Sequence, residues 1–172
     1  MRTPVEAADW EGDLAYRYGA SLYIRSFFWE AHEVWEAVWK ACPPNGVERR
    51  LLRGLIALAN AALKLRMGRP KAALRLLREA DEVLGEVGSG TVMGVAVAPL
   101  RAAARELAGV VDAGRVVGGP VGMSSAPASA PSPAESWEPA MIAGILRSLA
   151  PVALDSEENC TIMHQACKSA AL

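Results

Sequence analysis

The run LLRGLIALANAALKLRMGRPKAALRLL, residues 51–77, carries two apolar stripes separated by one short turn. Leu51, Leu52, Leu55, Ile56, Leu58, Ala59, Ala62, Leu63 and Leu65 recur at three- and four-residue steps. Arg49, Arg50, Arg53, Lys64 and Arg66 fall mostly on the other side, which is the pattern of an amphipathic helix. Gly68 stands where a C-terminal cap belongs and Pro70 where a following helix begins. Two helices, 47–67 and 70–87, are therefore predicted to form an antiparallel hairpin, with Leu74, Leu77, Ala80 and Leu84 as the buried stripe of the second.

Outward from this hairpin the chain keeps the same character. From Asp9 to Ala113 it is rich in Ala, Leu, Arg and Glu, residues of high helix propensity, and strand-like alternation is nearly absent. Breakers at Gly19, PPNG (43–46), GRP (68–70) and GSG (88–90) divide it into predicted helices over 10–18, 26–41, 47–67, 70–87 and 95–113. The expected fold class is all-α: a compact antiparallel bundle of four to five helices over residues 9–113. Short connections make sequence neighbours antiparallel, packed around Trp35, Trp39, Leu55, Leu58, Leu63, Leu74 and Leu77. Residues 114–136 are mostly Gly, Pro, Ser and Ala with almost no charge and read as a disordered linker. Residues 137–172 read as a weakly structured tail with short helices, one of them in WEPAMIAGILRSLAPVAL.

Composition narrows the function classes. The formal net charge of −1 over 172 residues gives no overall pull toward nucleic acid or an anionic membrane, so neither partner is expected. The basic series from Arg49 to Arg78 reads as a solvated helix face; within it, Arg69 and Lys71 at a helix start are the candidate anion-binding pair. Three cysteines are too few for a disulfide scaffold, and Glu6, Asp9, Glu11 and Asp13 occupy the region where a secretory signal would be apolar. A cytoplasmic protein is expected. TVMGVAVAPL, the most apolar late segment, is about half the ~20 residues needed to span a bilayer. No glycine loop follows a strand, so no nucleotide cofactor is indicated; a homo-oligomer, a small molecule or a protein all remain open as partners.

The chemistry concentrates in FFWEAHEVWEAVW, residues 27–39. On a helix His32, Trp35, Glu36 and Trp39 share a stripe, and an imidazole and a carboxylate four residues apart can reach a common divalent metal. HEVWE departs from the zinc-protease pattern H-E-x-x-H because Glu36 stands in place of the second histidine. Further donors are Glu33, about 100° around the helix, Asp13, Asn60 and Cys42. The residues alone leave three readings open: a metal site, an acid–base pair without metal, and a buried polar network in which Glu36 pairs with Arg53 or Lys64. Cys160, His164 and Cys167, at i, i+4 and i+7, form a second and poorer metal pattern.

YGASLYIRSFFWEAHEVWEAVW, with the hairpin downstream of it, resembles the small all-helical family called domain of unknown function 309. His32, Glu36 and Trp39 match its signature H-x-x-x-E-x-x-W or Y, and Gly54, Leu55, Ile56, Arg66, Gly68 and Pro70 match its downstream pieces, over residues 10–87. The resemblance implies His32 and Glu36 as metal ligands or active groups with Trp39 as their aromatic neighbour, and extends to a metal-dependent hydrolase. It also implies a histidine in the third helix near position 64, where this chain has Lys64, a departure that favours a His–Glu–Lys cluster.

Overall fold

The computed structural model describes residues 9–114, 142–155 and 158. Its α-helices are α1 (Leu14–Ile24), α2 (Phe28–Ala41), α3 (Val47–Arg66), α4 (Pro70–Val87), α5 (Val97–Asp112) and α6 (Ala143–Leu149). A 3-10 turn, Trp10–Gly12, precedes α1, and a two-stranded antiparallel hairpin of β1 (Thr91–Val92) and β2 (Val95–Ala96) precedes α5. Consecutive helices pack on one another from α1 to α6, and α6 returns to touch α1. The fold is an all-α bundle whose array closes on itself.

Local chemistry explains the helix limits. Asp13 accepts a hydrogen bond from the Tyr16 amide at 2.9 Å and so caps α1. Pro43 and Pro44 follow the end of α2. At the end of α3 the Gly68 amide donates to the Leu65 carbonyl at 2.9 Å and the Arg69 amide to the Lys64 carbonyl at 2.8 Å, with Gly68 at φ +66°. That is the Schellman arrangement, and Pro70 opens α4 directly after it.

Three features depart from the sequence expectation. Gly19 does not break the first helix; α1 runs through it to Ile24. A Cβ at position 19 would collide with Trp35 Nε1, so the missing side chain is what lets the Trp35 indole rest on α1 and donate to the Tyr16 carbonyl at 3.0 Å. Second, residues 91–96 form the hairpin, turned at Met93 (φ +48°) and Gly94 (φ +74°), both in the left-handed region that a two-residue I′ turn requires. It docks on α1, where the Tyr16 hydroxyl donates to the Met93 carbonyl at 2.9 Å. Third, Trp39, Leu63 and Leu74 are only partly buried, whereas Trp35, Leu55, Leu58 and Leu77 are core as expected.

The core extends past residue 113. Ile142, Ile145, Leu149 and Val152 belong to the same buried cluster as α1 to α5. The Leu154 amide donates to Ser21 Oγ at 2.8 Å, and Arg17 makes a two-point pair with Glu158 at 2.8 and 2.7 Å. The expected linker, apart from Gly114, and the Cys160, His164, Cys167 pattern lie outside the described residues.

Asp81 links α4 to α5, accepting from Arg101 and Arg105, each at 2.9 Å. Partial burial raises its carboxyl pKa, but the hydrogen bonds from Arg105 and Arg101 and their charge outweigh this and hold it below the ordinary value. A lowered folded-state pKa stabilises above the ordinary carboxylate range, and that contribution is lost as pH falls through the folded value. Asp81→Asn is expected to cost about 1 kcal/mol at neutral pH, a figure already discounted for the solvent that reaches the pair. Thermal melts should show a lower midpoint for the variant that converges on wild type under acid.

Candidate metal centre

Helix α2 is held at both ends by arginines from α3. Arg66 lies 4.7 Å from the Phe28 ring centroid and donates to the Ser26 carbonyl at 2.8 Å. Arg49 lies 3.9 Å from the Trp39 ring centroid and donates to the carbonyls of Trp39 (3.0 Å) and Cys42 (2.8 Å) at the end of α2. These two clamps lay α2 antiparallel along α3 and fix the rotation of its middle turn. Trp35 is buried, while His32, Glu33 and Glu36 reach the surface.

Among the described residues, His32, Glu33 and Glu36 each bring a donor atom to one place, all three within 4.8 Å of one another. The His32 Nδ1 lies 3.1 Å from a Glu33 carboxylate oxygen, and Trp29 stacks on the imidazole with centroids 5.5 Å apart and planes at 28°. Glu36 pairs with Lys40, one turn further on, at 3.1 Å. Side-chain exposure is 17 % for His32, 51 % for Glu33 and 35 % for Glu36.

These figures correct the polar-network expectation. The trio is not enclosed, and Glu36 does not take Arg53 or Lys64 as its partner. Arg53 pairs with Glu79 at 3.3 Å, and Lys40 serves Glu36 instead. Asp13 is occupied as the α1 cap, and buried Cys42 lies against the Val38 carbonyl at 3.4 Å, so neither is a donor to the trio. Trp39 packs against Arg49 and braces the helix rather than facing the imidazole. Asn60 and Lys64 are partly exposed on α3. Lys71 lines a groove with Arg53, Arg75 and Arg78, whereas Arg69, the other half of the expected anion pair, does not line it.

Two residues at the centre were not read as partners from sequence. Trp29 is 53 % exposed, and its contact with His32 follows from i,i+3 spacing. Lys40 follows from i,i+4 spacing to Glu36. Buried tyrosines near α2 offer no acid–base group: burial pushes the Tyr16 and Tyr23 hydroxyls well above the ordinary phenol range.

Residues 16–76 match the family model described as Domain of unknown function (DUF309). This segment runs from α1 into α4 and holds the whole His32, Glu33, Glu36 cluster, both arginine clamps and the Schellman turn. The hairpin, α5 and α6 lie beyond the DUF309 match. No curated protein and no solved structure matches the chain.

Proposed function

We propose that the DUF309 segment binds a divalent metal ion on the exposed face of α2, with His32 and Glu36 as ligands and Glu33 as third ligand or as the carboxylate that orients the imidazole. The observation that carries this reading is the convergence of three donors of the right chemistry within 4.8 Å. Ligand distances of about 2.0–2.2 Å need donors roughly 3–3.5 Å apart, so the widest pair of the trio has to close by about 1–2 Å. Rotation of two surface glutamates can supply that. Glu33 holds His32 and Lys40 holds Glu36. An imidazole that gives its Nδ1 proton to a carboxylate keeps Nε2 for the metal.

A divalent ion at this place supplies Lewis acidity to whatever fills its outward positions, which is the chemistry of metal-assisted hydrolysis. Two grooves lie elsewhere, one between the hairpin, α5 and α6 and the other on α3 and α4, and neither is lined by the trio. Metal capture on an open helix face is therefore the better-supported part of the reading, and hydrolysis its extension.

Elemental analysis of full-length protein after dialysis against zinc, manganese or nickel tests the proposal. About one equivalent retained by wild type and lost in the double variant His32→Ala, Glu36→Ala is expected; negligible retention by wild type overturns it. Lys40→Met removes the cation that competes for Glu36. Because such an exposed i,i+4 pair is worth only ~0.3–0.5 kcal/mol, titration calorimetry should show metal binding tightened about two-fold.

A further inference from the structure

Arg66 ties the α3–α4 turn to the α1–α2 turn, so both turns lie at one end of the bundle. Among the described residues four large apolar side chains are conspicuously exposed, and three of them, Phe27 (51 %), Trp29 (53 %) and Met67 (48 %), belong to this end. The fourth, Leu14, begins α1 and lies at the other end. Across residues 25–30 and 64–71 the sequence holds five basic side chains, Arg25, Lys64, Arg66, Arg69 and Lys71, against one acidic, Glu30. Arg25, Arg69 and Lys71 are exposed there. The near-neutral total thus conceals a strongly cationic end.

We propose that this end of the bundle docks on the surface of a bilayer containing anionic phospholipid, with Phe27, Trp29 and Met67 entering the headgroup layer and Arg25, Arg69 and Lys71 meeting the phosphates. No helix of the described residues is long and apolar enough to cross a membrane, so the contact is peripheral. Aromatic side chains with a polar edge favour the interfacial layer, and each nearby Lys or Arg strengthens attachment to an anionic leaflet. The apolar groups sit on helix ends and turns rather than along a helix flank, which suits insertion of a tip better than the packing of a partner helix. A second copy in this place would set cations against cations. The surface shares Trp29 with the metal centre but needs no metal, and a chelator keeps the two readings apart.

Full-length protein is co-sedimented, with EDTA present, with vesicles of phosphatidylcholine alone or of phosphatidylcholine mixed with phosphatidylglycerol. Binding is expected only to the mixed vesicles and should weaken with salt. The double variant Arg69→Gln, Lys71→Gln should lower the partition coefficient by about 25-fold, roughly five-fold per cation. Phe27→Ser, Met67→Ser should lower it by ten-fold or more while circular dichroism and melting stay as in wild type, since both side chains are half exposed. Absence of binding to mixed vesicles overturns the proposal, as does binding that ignores the Phe27, Met67 variant, which would mark a general polyanion site. Self-association without vesicles that the Phe27, Met67 variant abolishes also overturns it, in favour of an interface between copies.

Discussion

Trp35→Ala is expected to destabilise the bundle by about 3–5 kcal/mol. Its side chain is fully buried, its ring lies 6.0 Å from that of Tyr23, and its indole donates to the Tyr16 carbonyl across the α1–α2 contact. Truncation removes that bond and leaves a cavity in a region built of helices that cannot collapse inward without breaking the two arginine clamps. Urea unfolding followed by circular dichroism measures the loss. Gly19→Ala is the sharper companion. Helix propensity alone predicts a gain of about 1 kcal/mol for alanine inside α1, whereas the close approach to the indole predicts a net loss of about 1–3 kcal/mol from overpacking. A more stable Gly19→Ala variant would show that the indole has room to move and that glycine is not required there.

His32→Ala is expected to weaken metal binding by about two orders of magnitude or more, because loss of even an outer-sphere partner of a metal ligand costs about 10–100-fold. Glu36→Gln should behave alike. Glu33→Gln separates its two roles: a loss of about ten-fold fits a carboxylate that orients the imidazole, and a loss equal to that of His32→Ala fits a third ligand. All three side chains reach solvent, so melting temperatures without metal should barely move, and a weakened affinity cannot be blamed on unfolding. Equal affinity in wild type and His32→Ala removes the imidazole from the site and the proposal with it.

What could be read from the sequence depended on how far each residue's partner lay along the chain. Gly68 and Pro70 act on the backbone beside them, and their cap and helix start are where the pattern places them. Gly19 acts through Trp35, sixteen positions away, and within its own window it looks like a breaker. The hairpin has two residues per strand, too few for alternation to register, and its turn places a methionine in the left-handed region. At the site, the i,i+4 rule put His32 and Glu36 on one turn, and the structure adds Glu33 to them. The same rule links Glu36 to Lys40, and because the carboxylate reaches solvent it needs no long-range partner from α3. Trp29, next to the buried Phe28, carries no mark in the sequence of which way it faces, and the structure turns it outward onto His32.

The return of residues 142–154 to α1 separates two lengths that are easily taken for one. The DUF309 match ends at residue 76, one position before the buried Leu77 and midway along α4, while the apolar interior continues through Leu84, Leu100, Leu107 and Val152. The stretch that carries the signature is shorter than the stretch that keeps it dry beneath. A fragment trimmed to the signature would keep His32, Glu33 and Glu36 and lose the far wall of the bundle on which α4 rests.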